Sequence, residues 1–237
     1  MLIGLDRPVK SQWIFELLNM VETGAKPSDY NAAFENVAVE LTGKESIRKV
    51  RTIIFRSFIY AFQENKTRIA SNELIELSRS RDEAFMRPIY LAKIMFDYEI
   101  CQLIVPKFQL YKNKNHEINL KLITKKTVEA YGDRDVVKRS VRSLIKSLSY
   151  FNVLSMIDSA TVIQNQPMIL VPEQWKYILK LYAGFYLKSK IIDINDINMD
   201  LFFYLSVDKG FHDTIKAYHG EEWEYIRDHS RNMLLMK

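Results

Sequence analysis

Lys138, Arg139, Arg142 and Lys146 make the strongest chemical statement in this chain. At about 100° per residue they share one face of a helix, with Ser143 and Ser149 at its margins and almost no acid beside them. Ammonium and guanidinium groups in such an array match a row of phosphates, so the chemistry expected of them is electrostatic gripping of duplex DNA. On the opposite side Val136, Val137, Val141, Leu144, Ile145 and Leu148 form an apolar stripe that must dock on the rest of the protein. The alternative reading is an ordinary amphipathic helix with a solvated basic face.

Charge along the chain favours the first reading. From Lys121 to Lys146 there are eight basic residues and three acids, a local +5 that equals the net charge of all 237 residues. Lys121, Lys125, Lys126 and Arg134 lead into the basic helix and are candidates for flanking phosphates, while Lys107, Lys112 and Lys114 extend the tract upstream. From Ile191 onward nine acids face five bases. Segregation of this kind argues for a patch with a polyanionic partner. A second basic cluster, Arg48, Lys49, Arg51 and Arg56, either lengthens the DNA footprint or is a solvated helix face.

Catalytic constellations do not rise above background. His116, His212, His219 and His229 lack zinc-ligand spacing, and no H-E-x-x-H or G-x-S-x-G occurs. Gly43-Lys44 is followed by Glu45, and the glycine that a phosphate loop needs is Ala38. The expectation is therefore a protein that is not an enzyme, with no metal and no cofactor. Cys101, the one cysteine, sits in the apolar run Ile-Cys-Gln-Leu-Ile-Val and reads as a small buried hydrophobe in a reducing, cytoplasmic protein.

The elements that must hold the basic residues run from 120 to 172 in the order helix, tight turn, basic helix and β-hairpin, the order of a winged helix-turn-helix. Thr124 is a candidate N-cap of the first helix, Gly132 is placed where a helix ends in a left-handed residue, and Asp133 is a candidate cap for a second helix from Arg134 to about Tyr150. Thr161–Ile163 and Met168–Val171 flank Gln164-Asn-Gln-Pro167, which reads as the hairpin turn. No Lys or Arg lies between Ser147 and Trp175, so this wing lacks a cation; Gln164 and Asn165 are the candidates for hydrogen bonds to DNA, with a purely structural wing as the alternative.

Upstream, helical periodicity covers Trp13–Val21, Tyr30–Leu41 and the stretch after Gly43 to about Asn65. Ser71 is placed to cap a short helix, and Asp82 to open a long apolar one bent at Pro88 and followed by Pro106. Phe85 to Tyr111 is the most apolar region, but five charges interrupt it and a spanning helix needs about 20 residues nearly free of charge, so a buried helix is expected and no membrane partner. Downstream, Pro172-Glu173 opens a helix through Phe185, and two more are expected around Met199–Val207 and Glu221–Met236. A solvated helix start is the default for Glu221-Glu-Trp-Glu224, with packing against a basic neighbour or inhibition of the DNA face as the alternatives.

With 48% hydrophobic and 27% charged residues, seven glycines and six prolines, the chain reads as globular and mainly α. The expected fold is an N-terminal helical bundle (1–116), a winged helix-turn-helix module with a short β-hairpin (117–172) and a C-terminal helical extension (173–237). The polar link 111–117 marks the first boundary.

Glu73-Leu-Ile-Glu-Leu-Ser-Arg-Ser-Arg81, the helix Ala84–Ile104 with Pro106-Lys-Phe108, and the 124–154 helix pair ending Ser147-Leu-Ser-Tyr-Phe-Asn-Val-Leu154 resemble the BrxA family of BREX phage-defence systems over about residues 44–172. The resemblance implies a non-enzymatic, mostly helical DNA-binding accessory protein beside other defence-system proteins. It supplies no catalytic residues, and the acidic, aromatic stretch after Pro172 departs from it. Two alternatives to double-stranded DNA binding remain. One is a protein-interaction adaptor that uses the winged helix for docking. The other is a transcriptional regulator, which implies a dimer on half-sites about one helical turn apart.

Overall fold

The computed structural model describes residues 4–207, 210–228 and 231–237. It is mainly helical, with ten α-helices and two small three-stranded antiparallel sheets among those residues. The first half holds α1 (Ser11–Met20), α2 (Asn31–Val37), α3 (Lys44–Phe58), α4 (Glu73–Ser80), α5 (Glu83–Asp97) and α6 (Glu99–Tyr111). The centre of the core is α5, apolar almost all round, with Met86, Ile89 to Ala92 and Ile94 to Phe96 buried. Asp82 opens it as expected, accepting from the Phe85 N–H at 2.8 Å.

Three upstream expectations change. Asn72, not Ser71, caps α4 by accepting from the Leu74 and Ile75 N–H groups, while the Ser71 hydroxyl turns to Glu76. The single helix expected from 84 to 104 is broken at Tyr98, whose backbone is extended (φ −109°, ψ 118°). The break buries the Tyr98 ring and brings its hydroxyl within 2.7 Å of the Arg56 guanidinium, which donates to it. Pro106 lies inside α6 rather than after the helix end.

The segment that carries the basic residues is built as β1 (Glu117–Asn119), α7 (Leu120–Tyr131), α8 (Asp135–Tyr150), β2 (Leu154–Met156) and β3 (Thr161–Gln164). The sheet order is β1-β3-β2, with Ile118 opposite Val162 and Ser155 opposite Ile163. The chain thus leaves the sheet, runs through both helices and returns to close it. Asn119 rather than Thr124 caps α7, accepting from the Lys121 and Leu122 N–H groups at 2.9 and 3.2 Å; Thr124 lies one turn inside and donates to the Leu120 carbonyl. Asp133 makes no cap to α8, because its carboxylate is engaged by Lys138.

Gly132 ends α7 not in the expected left-handed conformation but at φ +85° and ψ 158°, a combination open almost only to glycine. A Cβ there would meet nothing within 4 Å, so Gly132→Ala tests backbone strain alone. It is expected to destabilise the fold by about 1–3 kcal/mol in a denaturant titration.

The hairpin is displaced from its expected place. Its turn is 157–160, where Asp158 Oδ1 accepts from the Ala160 N–H at 2.6 Å, and not 164–167. Met168 instead bridges in parallel to Leu205. A three-residue strand such as β2 spans less than two periods of alternation, so it leaves no pattern to detect.

The last third contains α9 (Pro172–Leu181), a π-turn (Tyr182–Leu187), β4 (Ile191–Asp193), α10 (Phe211–Ala217), β5 (Trp223–Asp228) and β6 (Arg231–Met236). The helix expected over 221–236 is a β-hairpin among the described residues, joined by β4 in the order β4-β6-β5. Burial alternates along β6, with Leu234 and Met236 inward and Leu235 outward. Glu222 is not a solvated helix start; Lys176 and Lys180 of α9 hold it. The helix expected around 199–207 reduces to a 3₁₀ turn, Met199–Phe202. One contiguous apolar cluster runs from Leu5 to Met236 and draws on all three expected regions. No helix among the described residues is long and apolar enough to cross a membrane.

Candidate nucleic-acid interface

α8 is positioned from behind by two sets of contacts. Val137, Val141, Leu144, Ile145 and Leu148 are buried as the periodicity requires, whereas Val136 is 45% exposed and stands outside the stripe. Ser140, Ser143 and Ser147 are buried too, beneath the N-terminal segment. The Val9 N–H donates to the Ser147 hydroxyl at 2.9 Å, and Ser147 in turn donates to the Ser143 carbonyl. A Cβ added to Gly4 would come within 2.3 Å of Ser140 Oγ, so only small residues on both sides allow this approach. Ser143 is thereby removed from the candidate DNA contacts. The signal was the serine spacing 140, 143, 147, the i, i+3, i+7 pattern of a second packed face.

The other side of α8, one side of α7 and the hairpin enclose an open groove of about 830 Å³. Its rim brings together Lys121 and Lys125 from α7 with Lys138, Arg142 and Lys146 from α8. Its floor is apolar, formed by Leu120, Val128, Ile145, Tyr150 and Met156. Arg139 lies over the adjoining edge, in a shallow cleft with Arg142, Lys146 and the N-terminal Arg7. Arg7 and Tyr150 were not singled out from the sequence; Arg7 is brought here only by the long-range packing of the N-terminal segment.

The cations differ in availability. Lys138 is held by Asp133, and Lys126 by Glu129 at 2.7 Å; each carboxylate raises the pKa of its lysine above the ordinary value. Arg134 turns back to donate to the Tyr131 carbonyl. Lys121, Lys125, Arg139, Arg142 and Lys146 are exposed and have no ion pair among the described residues. Four of these line one groove and Arg139 stands at its edge; such like charges repel one another, and a polyanion relieves that repulsion.

The remaining candidates lie elsewhere. Arg48 and Lys49 pair with Glu45, Arg51 is partly desolvated beside Tyr60, and Arg56 is tied to Tyr98; none lines the groove. Gln164 is taken up inside the fold, donating to the Phe203 carbonyl and accepting from Gln109 and Lys112. Asn165 donates to Asn152 and accepts from Ser155, which fixes the base of the hairpin, away from its turn. Neither is free for DNA. At the turn, Met156 and Ile157 are about half exposed next to Asp158, so the tip offers apolar surface and an acid.

Cys101 is fully buried, and burial pushes its thiol pKa up. His219 accepts from the Tyr225 N–H, and His229 lies outside the described residues. No group of three or more His, Cys, Asp or Glu side chains is placed to hold a metal ion among the described residues. No protein-family model, curated protein or solved structure matches this chain.

Proposed function

We propose that residues 117–164 are a winged helix-turn-helix that binds duplex DNA, and that the protein is a non-enzymatic accessory of a BREX-like phage-defence system. The observation that carries the reading is the convergence of Lys121, Lys125, Arg139, Arg142 and Lys146, without an ion pair among the described residues, on one side of a packed helix pair. The element order and the β1-β3-β2 sheet support it, since that arrangement sets the second helix outward beside a hairpin. In this reading α8 enters the major groove and α7 tracks a flanking backbone. The hairpin contributes packing and no charge. The resemblance of residues 44–172 to the BrxA family supplies the defence context.

The test is a shift assay across salt. Five phosphate contacts give a slope of log affinity against log salt of about −4.5, from about −0.9 per contact. Retention that ignores salt, or no retention at low salt, would sink the reading.

A second reading, a docking adaptor for another defence protein, is favoured by the apolar groove floor and by exposed Ile157. It predicts complex formation that survives nuclease treatment, with no affinity for DNA.

A further inference from the structure

The groove between α7, α8 and the hairpin carries more apolar surface than a phosphate backbone can use. Leu120, Val128 and Tyr150 are half-buried there and Met156 is 51% exposed, so each keeps part of its surface in water. A DNA backbone takes the cations on the rim and leaves this floor wet, whereas burying the floor is favourable in its own right.

The cations of the rim form two short rows. Lys121 and Lys125 stand four residues apart on α7, and Arg142 and Lys146 four apart on α8, so the members of each pair are one helical turn, roughly 6 Å, from each other. One row belongs to each of the two helices that enclose the floor. All four side chains are exposed, and no acid lines the groove among the described residues.

These features select an occupant. Single-stranded nucleic acid stacks on several aromatic platforms; the floor has one ring, Tyr150, which Lys10 and Lys146 already approach at 4.9 and 5.7 Å from its centroid. An acyl chain with an anionic head satisfies one end of the groove and leaves one side of the chain in water, because the groove is open. The acidic hairpin of a second copy is already engaged, since Lys176 and Lys180 hold Glu222 and Lys237 holds Glu224. An amphipathic helix has an apolar stripe for the floor, acids one turn apart for the cations and a polar back for the solvent. We propose that this groove receives an acidic amphipathic helix of a different protein, its stripe on Leu120, Val128, Tyr150 and Met156 and its carboxylates against the two cation rows. Met156 suits an incoming surface, because its unbranched thioether adapts to the shape that covers it. The helix takes cations assigned above to phosphate, so docking and DNA binding exclude each other. That exclusion rests on the DNA reading; the docking does not.

The probe is a fluorescent synthetic helix of about 20 residues, with leucines at i, i+3, i+4 and i+7 and glutamates one turn apart beside them. Anisotropy with the full chain is expected to show saturable binding, about tenfold or more tighter than for two controls: a scrambled peptide of the same composition, and the same stripe flanked by lysines. Unlabelled duplex is expected to displace the helix. Arg142→Ala/Lys146→Ala should weaken helix binding about tenfold or more. Met156→Gln keeps the length of an exposed side chain and should weaken it about fivefold. The salt slope of duplex binding, which counts phosphate contacts, should stay the same in that variant. Either control bound as tightly as the probe, oleate bound more tightly than the probe, or unchanged helix affinity in Met156→Gln overturns the proposal. Duplex binding without helix binding overturns it too and leaves the DNA reading standing. Helix binding without duplex binding upholds the docking and sinks the DNA reading. If both bind and duplex fails to displace the helix, the shared groove is overturned.

Discussion

Replacing Arg139, Arg142 and Lys146 together by alanine is expected to lower duplex-DNA affinity on the order of a hundredfold at about 0.15 M salt. The figure follows from counterion release: each phosphate contact contributes about 0.9 to the slope against log salt, or about fivefold at that concentration, and three are removed. The slope itself should fall by about 2.7. Stability should hardly change, because all three side chains are exposed and none has an ion pair among the described residues. Lys146 loses only a cation–π contact at 5.7 Å from the Tyr150 ring centroid. Lys44→Ala/Arg48→Ala/Lys49→Ala is the matched control, since it removes the same three positive charges from α3 and leaves the groove intact. Fluorescence anisotropy with a labelled duplex, run beside thermal melts, separates the two effects. Equal losses in both variants would mean that net charge rather than this groove drives binding.

Lys93→Ala should destabilise the fold by about 3–5 kcal/mol, lowering the melting temperature on the order of 10 °C. Lys93 is fully buried in α5, with its ammonium between Asp97 and the Phe185 ring, 3.7 Å from the ring centroid. Burial draws the lysine pKa down and pushes the Asp97 pKa up, and their mutual attraction opposes both shifts. Removing the lysine leaves a largely buried carboxylate without its ion-pair partner. Replacing both, as Lys93→Met/Asp97→Leu, should restore most of the loss, because a well-packed apolar pair avoids desolvating two charges. Chemical denaturation of the two variants checks this; a double variant as unstable as the single one would show that packing around Lys93, not charge, dominates.

The helices were largely legible because their signals are local. Asp82 sits before an apolar run, Gly132 sits where only glycine accepts the backbone, and the α8 stripe follows its 100° period. What escaped depends on partners distant in sequence. Glu221 to Met236 is rich in charged residues and Met, which suits a helix, and it becomes a hairpin because β4 and α9 offer a sheet edge and the lysines that hold Glu222. Gln164 and Asn165 carry turn-forming chemistry, yet their amides serve Phe203 and Asn152. Of the basic face, the candidates on α7 and α8 were visible from spacing. The Lys126–Glu129 pair follows from i, i+3 spacing within α7, whereas neutralisation of Lys138 by Asp133 was set by geometry around the turn.

The N-terminal segment over Ser140, Ser143 and Ser147 has a kinetic consequence. Its hydrogen bond from Val9 to Ser147 joins residues 138 apart, so the closure entropy of that long loop precedes any gain from the contact. The strap therefore belongs to the late contacts of folding, after α7 and α8 have formed from near neighbours in sequence. The surface that carries the positive charge acquires its final setting only when residues 4–9 return to lie across its back.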